Sequence, residues 1–392
     1  MKTIVAILLT FFASSQAYSE TIEKEWTLIV FLNGVNNLDT FGDLNINQME
    51  EIGSNKNINI VVQWGSYRNP DVLRLFVEKD SDTNKVTSPV VMNLGSSDMG
   101  DYKQLVDFVK WAHQNYPAKK YFVDVWNHGS GWKAVRANSD ISLMDISFDD
   151  RTGNKITTEQ LGVAMKQIAA EIGRPVDVYG SDACLMSMAE VATEMQGAVR
   201  VFLGSQDLEP GEGWPYNKFL EGLNKDPKMD AVSVGKLLTT EYFKAYSGGI
   251  YGTRDVTFSA FDMEYLEAFN KSVARLNQEL IERLSADADK IKAAAAATQT
   301  FYYNDYADGL DFLNKLLDFK VELSESLVND FNKAHAKLII ANEASEEFKN
   351  AKGISVWLPV GYGYTFESNQ QRYQGLEFNK QTNWVQFLGN AQ

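Results

Sequence analysis

The chain contains a single cysteine, Cys184, which is its strongest candidate for a nucleophile. Cys184 follows the apolar run VDVYG, which is typical of a short buried strand. The residues after it, LMSMAEVATE, have helical spacing, so the sequence predicts a strand-to-helix turn at this position. The unpaired N–H groups at a helix start lower the pKa of a thiol and favour the thiolate. A lone cysteine is more often a small buried apolar residue, so catalysis needs further support.

His128 is the histidine best placed to act with this thiol. It follows the apolar strand YFVDVW and stands in the segment NHGSGW, where Gly129 and Gly131 let the backbone approach a ligand closely. A thiolate nucleophile needs a group that protonates the leaving amine, and imidazole performs this role near neutral pH. His113, in the last turn of a predicted helix, and His335, in the middle of another, are expected to be surface residues.

Strands and helices alternate through the first half of the chain. Apolar strands are predicted at 26–32, 58–64, 72–77, 121–126, 176–180 and 199–205. The alternation predicts an α/β/α sandwich with a mostly parallel central sheet, covered by helices on both faces. Active sites in such sheets form beyond the carboxyl ends of the strands, where both His128 and Cys184 lie.

From about residue 229 the pattern becomes largely helical. Helices are predicted at 232–245, 263–284, 286–298, 309–319 and 323–341. A late strand at 353–358 is expected to rejoin the sheet. The chain therefore divides into a signal segment (1–19), an α/β core that carries the chemistry (20–228) and a mainly helical region (229–392).

The first 19 residues have the composition of a secretory signal peptide. Lys2 precedes an apolar core at 4–13, and small residues follow at a suitable distance for cleavage. This apolar run is too short to span a bilayer, so we expect export to the periplasm or the medium without membrane insertion. The net charge of −15 disfavours nucleic acid and anionic membranes as partners.

No cofactor is predicted from the distribution of metal-ligating residues. One cysteine and three scattered histidines do not form a zinc site. Asp149, Asp150, Asp305, Asp308 and Asp311 could reach a calcium ion, but neither of their two segments fits a calcium-loop pattern. These acids are expected to be solvated, and calcium binding is left without a clear site.

Two segments carry a family resemblance. The strand followed by NHGxGW and the strand followed by DAC, with Cys184 placed 56 positions after His128, resemble the clostripain family (peptidase family C11) of cysteine peptidases. The family belongs to the clan of caspases, legumain and gingipains. The segments WTLIVFLNG, EPGEGW and GISVWLP are also similar to the family, so the resemblance runs from Trp26 to the C-terminus.

The resemblance implies a caspase-like fold and an endopeptidase that cuts protein or peptide substrates after arginine or lysine. His128 and Cys184 would form the catalytic dyad without an essential third member, and the amides of Gly129 and Cys184 would form the oxyanion hole. Asp182 would line the S1 pocket that binds the P1 side chain, with Asp207 as a weaker second candidate. Alternation along a strand end places residues 182 and 184 on the same side, in agreement with this.

Self-cleavage is a further expectation for the polar, aperiodic segment 133–155. Exposed loops are where proteolysis concentrates, and Arg136 and Arg151 are of the type that the enzyme should cut after. Clostripain itself is associated with a two-chain form and with calcium; an uncut loop is the alternative here.

Two other functions agree with some of these features. A periplasmic solute-binding protein is also exported, acidic and α/β, but it needs no Cys/His pair and usually has two comparable α/β lobes. An inactive peptidase-like protein that only binds its partner is the other alternative, against which the intact dyad argues.

Overall fold

The computed structural model describes residues 23–133 and 145–392. The predicted signal segment 1–19 and the candidate cleavage residue Arg136 lie outside the described residues.

Fifteen strands and twelve α-helices are present in the described parts of the chain. The strands are β1 (Lys24–Gly34), β2 (Ile58–Ser66), β3 (Asn69–Phe76), β4 (Val90–Asn93), β5 (Ala118–Trp126), β6 (Ile146–Asp149), β7 (Asn154–Ile156), β8 (Val176–Asp182), β9 (Val199–Gly204), β10 (Ser247–Gly249), β11 (Gly252–Thr253), β12 (Thr257–Asp262), β13 (Tyr306–Asp308), β14 (Ile339–Ala344) and β15 (Ser355–Trp357). The helices are α1 (Asp39–Glu50), α2 (Tyr102–Asn115), α3 (Thr158–Ile172), α4 (Ala189–Glu194), α5 (Tyr216–Lys225), α6 (Ala231–Tyr246), α7 (Leu266–Ala297), α8 (Gly309–Asp318), α9 (Glu325–Leu338), α10 (Gly363–Tyr373), α11 (Glu377–Thr382) and α12 (Trp384–Asn390).

The central sheet has the strand order β14-β12-β9-β8-β5-β1-β2-β3-β4. The strands β2, β1, β5, β8 and β9 are parallel. The flanking strands pair antiparallel on both sides. The parallel strands are apolar along most of their length because helices cover both of their faces. The predicted mostly parallel sheet is thus confirmed, and it places the carboxyl ends of β5 and β8 side by side.

Two hydrophobic cores lie on opposite faces of this sheet. One face packs against α1, α5 and α6 through residues such as Met49, Phe219 and Leu238. The other face packs against α2 and α3 through residues such as Phe108 and Leu161. The predicted α/β/α sandwich is therefore confirmed.

The helices of the C-terminal region extend the second of these cores. Leu276 of α7, Phe331 of α9 and Trp384 of α12 belong to the same buried cluster as the residues of α2 and α3. The two segments predicted at 263–284 and 286–298 correspond to α7, which is kinked at Asp287, a residue with non-helical backbone angles close to the predicted break. The C-terminal region thus completes the core of the α/β part.

Two late segments differ from the predictions. Residues 339–341, predicted as the end of a helix, belong to the strand β14, which pairs antiparallel with β12 at the edge of the central sheet. The segment predicted at 353–358 does not rejoin the central sheet. Its residues Ser355–Trp357 pair with β13 in a separate two-stranded sheet, and the Ser355 N–H donates to the Ser187 carbonyl at 3.0 Å. These pairings depend on residues distant in sequence.

The expectation of a surface position is wrong for His335. This side chain is buried, its Nε2 lies 2.9 Å from the Lys352 carbonyl oxygen, and burial lowers its pKa to about 4. His113 is half-buried, with its Nδ1 at 2.8 Å from the Tyr121 hydroxyl. Within residues 23–133 and 145–392, no helix combines the length and the apolar character needed to cross a membrane.

Candidate active site

The ends of two neighbouring strands form the floor of one cavity. Trp126 of β5 pairs with Asp182 of β8, and the Asn127 N–H donates to the Asp182 carbonyl oxygen at 3.2 Å. Beyond these residues, His128 and Cys184 line the same cavity of about 310 Å³. Parallel neighbours in a sheet deliver their following loops to one edge, so the juxtaposition of His128 and Cys184 follows from the strand order.

The loop around Cys184 differs from the predicted strand-to-helix turn. The helix α4 begins only at Ala189, and Leu185 takes a left-handed backbone conformation with φ of 65°. The Leu185 N–H donates to the Asp207 carbonyl oxygen at 3.0 Å, which ties the loop to the end of β9. Cys184 therefore lies in a fixed loop, without the unpaired N–H groups of a helix start.

The protonation state of the Cys184 thiol also differs from the predicted thiolate. Burial, with the charges of Asp207 and Asp182 as smaller causes, raises the pKa of Cys184 to about 11. The backbone N–H of Glu209 donates to the sulfur at 3.2 Å and acts in the opposite direction. The Glu209 carbonyl oxygen lies 3.8 Å from the sulfur. The thiol is thus protonated at rest and contacts the peptide groups of Glu209.

His128 is held by a residue that the sequence did not single out. Its Nε2 lies 2.7 Å from Asn37 Oδ1, and a carboxamide oxygen only accepts hydrogen bonds, so Nε2 carries the hydrogen. The other ring nitrogen, Nδ1, then has the free lone pair. Burial lowers the pKa of His128. The neutral imidazole is therefore available as a base.

Gly129 allows the histidine loop to approach the cysteine loop. A Cβ atom at this position would lie 2.4 Å from the carbonyl oxygen of Cys184, which is too short for any real contact. The absence of a side chain is thus a condition for the juxtaposition of the two loops.

The structure separates the two acids predicted for the S1 pocket. Asp182 lines the cavity and accepts hydrogen bonds from the Trp214 N–H at 3.1 Å and the Tyr216 hydroxyl at 2.8 Å. Burial raises the pKa of Asp182 to about 7. Asp207 is absent from the lining of this cavity, and its Oδ1 accepts from the Tyr302 N–H at 2.7 Å.

Glu209 is a further acid of the cavity lining that the sequence prediction missed. Both of its carboxyl oxygens are buried, and no N–H or O–H group of the described residues donates to either of them. A clue was available, because Glu209 stands in the loop after β9, the next parallel strand of the sheet. Its orientation could not be inferred from that position.

Arg151, the second candidate for self-cleavage, lies in the turn between β6 and β7. Its guanidinium donates to the carbonyl oxygens of Ser66 and Asn69, each at 3.1 Å, and of Pro70 at 3.2 Å. Its backbone N–H donates to Asp149 Oδ1 at 2.9 Å. The side chain is thus engaged by the protein.

The acids considered for calcium are mostly buried, contrary to the expected solvated positions. Asp149 and Asp308 accept backbone N–H groups in turns and helix caps, Asp311 accepts the Gln299 N–H, and Asp305 pairs with Lys133 at 2.6 Å. Among the residues for which side chains are described, no group of three or more His, Cys, Asp or Glu is arranged to hold a metal ion.

Comparison with known proteins identifies the family to which this chain is similar. The model of the clostripain family of peptidases matches residues 30–390. Clostripain from Hathewaya histolytica is 24% identical over 310 residues, which cover 68% of this chain and 58% of that protein. The match thus spans less than two thirds of the length of that relative.

Solved structures share the fold. A secreted C11 cysteine protease from Bacteroides thetaiotaomicron, in complex with an irreversible peptide inhibitor, superposes with a TM-score of 0.70 at 18% identity, covering 92% of this chain and 99% of that one. An inactive zymogen C11 protease from Parabacteroides distasonis gives a TM-score of 0.66 at 18% identity, covering 92% of this chain and 98% of that one.

Proposed function

Because this chain belongs to the clostripain family of cysteine peptidases, we propose that it is an exported endopeptidase that hydrolyses peptide bonds after arginine or lysine. The observation that carries the proposal is the cavity that His128, Cys184 and Asp182 line together. A thiol and a neutral imidazole at one cavity supply a nucleophile and a base, and a buried acid beside them suits a cationic side chain.

The reaction would begin with transfer of the Cys184 proton to His128. The thiolate attacks the carbonyl carbon of the peptide bond, a C–S bond forms, and the carbonyl electron pair moves to the oxygen. The amides of Gly129 and Cys184 stabilise this oxyanion; a lost donor of this kind costs roughly 2.7–4 kcal/mol in other enzymes. His128 then protonates the leaving amine as the C–N bond breaks, which leaves a thioester. Water attacks the thioester while His128 accepts its proton, and the C–S bond breaks as that proton returns to the Cys184 sulfur.

Asp182 would select the basic residue at P1. It is buried at the cavity wall, where a carboxylate and a guanidinium or ammonium attract each other more strongly than in bulk water. Asp207 is less suited to this role, since its carboxylate already accepts the Tyr302 N–H and lies outside the cavity lining.

Self-cleavage is proposed at Arg136 in preference to Arg151. Cleavage after Arg151 would require its guanidinium to leave the three carbonyl oxygens that it contacts, followed by insertion into the S1 pocket. Wild type and Cys184→Ala should be compared by intact mass. A single uncut chain in active wild type rejects self-cleavage, and identical cuts in both proteins point to another protease.

The alternatives predict different behaviour. A solute-binding protein is disfavoured by family membership and by the core that the C-terminal helices share with the α/β part. A family member that only binds partners would bind basic peptides without turnover.

A fluorogenic peptide series that varies only P1 tests the proposal, run with and without a calcium chelator. We expect cleavage of arginine and lysine substrates and little cleavage of neutral ones; the chelator arm decides whether calcium is required. Binding of basic peptides without any cleavage, or equal cleavage of basic and neutral substrates, would reject the proposed activity or its specificity.

A further inference from the structure

Three carboxyl groups and one phenol lie together at the cavity and directly behind its wall. Asp124, Asp182 and Glu209 form what we call the acid cluster, and the Tyr216 hydroxyl joins its first two members; Asp182 and Glu209 line the cavity. The titratable groups that act on these three carboxyls are one another, the Tyr216 hydroxyl and the Cys184 thiol. Within the described residues, no lysine or arginine pairs with any of them. A buried group of three carboxyls without a cation is strongly unfavourable when fully ionised.

The hydrogen bonds of Tyr216 show that the cluster holds an extra proton. Its hydroxyl oxygen lies 2.6 Å from Asp124 Oδ2 and 2.8 Å from Asp182 Oδ2. A phenol has one hydrogen, so it can donate to only one of these two carboxyls. The other short contact needs a hydrogen on the carboxyl itself. Asp124, which has no exposed surface, is the more suitable carrier.

Glu209 extends the same arrangement to the cavity. Its carboxyl and that of Asp182 line the same cavity and act on each other as hydrogen-bond partners, and a hydrogen bond between two carboxyls again requires one shared proton. The two oxygens of Glu209 have no other donor among the described residues. They therefore need either that proton or a cation that enters the cavity.

We propose that Glu209 is the second carboxylate of the S1 pocket, and that it shares with Asp182 a proton that is released when the P1 arginine or lysine binds. The inference rests on the proposed function and specifies how the pocket recognises its cation. The carboxyl O–H bond breaks, the proton passes to solvent, and the two carboxylates bind the cationic side chain. In the free enzyme the proton replaces the missing cation.

The surroundings of Glu209 agree with this exchange. Burial, followed by the proximity of Asp182 and Cys184, raises the pKa of the Glu209 carboxyl well above its ordinary value. The other titratable groups that face the cluster are Tyr242, Tyr246, Tyr251 and His128. The nearby Arg254 pairs with Glu212 at 2.7 Å, on the same loop as Glu209.

The experiment measures proton release on binding. The Cys184→Ala variant, which cannot turn over, is titrated calorimetrically with a peptide that has arginine at P1, in two buffers of different ionisation enthalpy, at pH 6 and pH 8. The same peptide with citrulline at P1 is the neutral isosteric control. We expect release of about one proton at pH 6 with the arginine peptide. Below pH 7, the Kd should fall by up to about 10-fold for each unit by which the pH rises.

A second variant assigns the proton to Glu209. Cys184→Ala/Glu209→Gln should bind the arginine peptide more weakly, with less proton release and a flatter dependence of Kd on pH. Cys184→Ala/Glu190→Gln is the matched control, because Glu190 is equally buried, has a pKa of about 7, and contacts Trp357 and Tyr373 outside the cavity.

Two results would overturn the inference in distinguishable ways. If arginine binds in preference to citrulline without proton release, or with release that Glu209→Gln leaves unchanged, the proton exchange at Glu209 is wrong and the basic specificity stands. If arginine and citrulline peptides bind equally, the basic specificity fails, and the exchange fails with it.

Discussion

Two sets of buried carboxylates in this protein have opposite surroundings. Asp305 accepts both Lys133, at 2.6 Å, and the Trp357 indole N–H, at 2.8 Å. Asp145 accepts Lys155 at 3.2 Å and also pairs with Arg372. The acid cluster, by contrast, contains three carboxyls and no cation.

The difference matches a structural role on one side and, in our proposal, a binding role on the other. The ion pairs of Asp305 and Asp145 join the segments before and after residues 134–144 to the C-terminal region, and each carboxylate has its partner within the protein. Among residues 23–133 and 145–392 the acid cluster has no such partner, so its full ionisation is unfavourable. Unpaired buried charge of this kind is typical of sites that await a ligand.

The largest expected effect concerns catalysis at the cavity that the acid cluster adjoins. Cys184→Ala and His128→Ala should each reduce kcat/KM by about 10⁴-fold or more, because each removes one half of the reacting pair. Thermal unfolding should change little, since neither residue belongs to an ion pair. Activity near that of wild type in either variant, on a substrate with basic P1, contradicts the assignment.

Asp182→Asn should change the substrate specificity. Removal of one partner of a buried charge pair costs about 2–5 kcal/mol, so kcat/KM for arginine and lysine substrates should fall by about 10²-fold or more. Substrates with neutral P1 should be little affected. Equal losses for basic and neutral substrates would assign Asp182 to the fold.

Among the carboxylates that have a cationic partner, Asp305→Asn should lower the stability. The variant leaves the Lys133 ammonium buried without its carboxylate, and such a change costs about 3–5 kcal/mol in the free energy of unfolding. Urea unfolding measures it. Asp318→Asn, an exposed acid 3.9 Å from Lys315, is the matched control and should change the stability by less than about 0.5 kcal/mol. Equal effects of the two variants would remove the distinction.

Asp124→Asn should raise the stability of the protein, in contrast to Asp305→Asn. Burial and the charge of Asp182 raise the pKa of Asp124, so the folded state keeps a proton that the unfolded state loses above about pH 4. Stability is therefore lost as the pH rises from that value through the folded-state pKa. The asparagine variant should be little changed at pH 4 and more stable than wild type at pH 8, by more than about 1.4 kcal/mol, the free energy of one pKa unit. Urea unfolding at both pH values checks this; an equal effect at both contradicts it.

The smallest expected effect is at Asn37, which orients His128 and belongs neither to the ion-paired residues nor to the acid cluster. Asn37→Ala removes one hydrogen bond, worth about 1 kcal/mol, so kcat should fall roughly 5-fold with KM unchanged. Because the Asn37 oxygen favours the charged imidazole, the acid limb of the rate profile should also move to lower pH. An unchanged profile would mean that the contact does not orient the ring.

Local sequence signals predicted much of this architecture. The helical spacing of residues 157–172, with Thr157 or Thr158 as its cap and Gly173 and Pro175 at its end, predicts α3 from the sequence alone. The structure places a capping box at Thr157 and Gly173 in a left-handed conformation. The apolar strands before His128 and Cys184 sufficed to bring these two residues to one edge of the sheet. These features depend on a few neighbouring residues or on the order of parallel strands.

Features that depend on distant contacts were not predictable. Residues 339–341 continue the helical pattern but form part of the strand β14, because β12 offers an edge to pair with. The left-handed Leu185 is held by the Asp207 carbonyl, so the cysteine loop could not be distinguished from a helix start. The acid cluster combines side chains from β5, β8 and the loop after β9, whose distances no spacing in the sequence reveals.

The contact between the Cys184 sulfur and the peptide groups of Glu209 bears on the choice of covalent inhibitors. The backbone of Glu209 lies against the Cys184 sulfur, while its side chain lines the cavity that we propose as the pocket for the P1 residue. If the proposal holds, a reagent with a guanidinium group is retained beside the sulfur by the same residue, whereas a small alkylating agent has no such group to hold it near the protonated thiol. Inactivation rates should therefore rank reagents by their recognition group more than by their intrinsic electrophilicity.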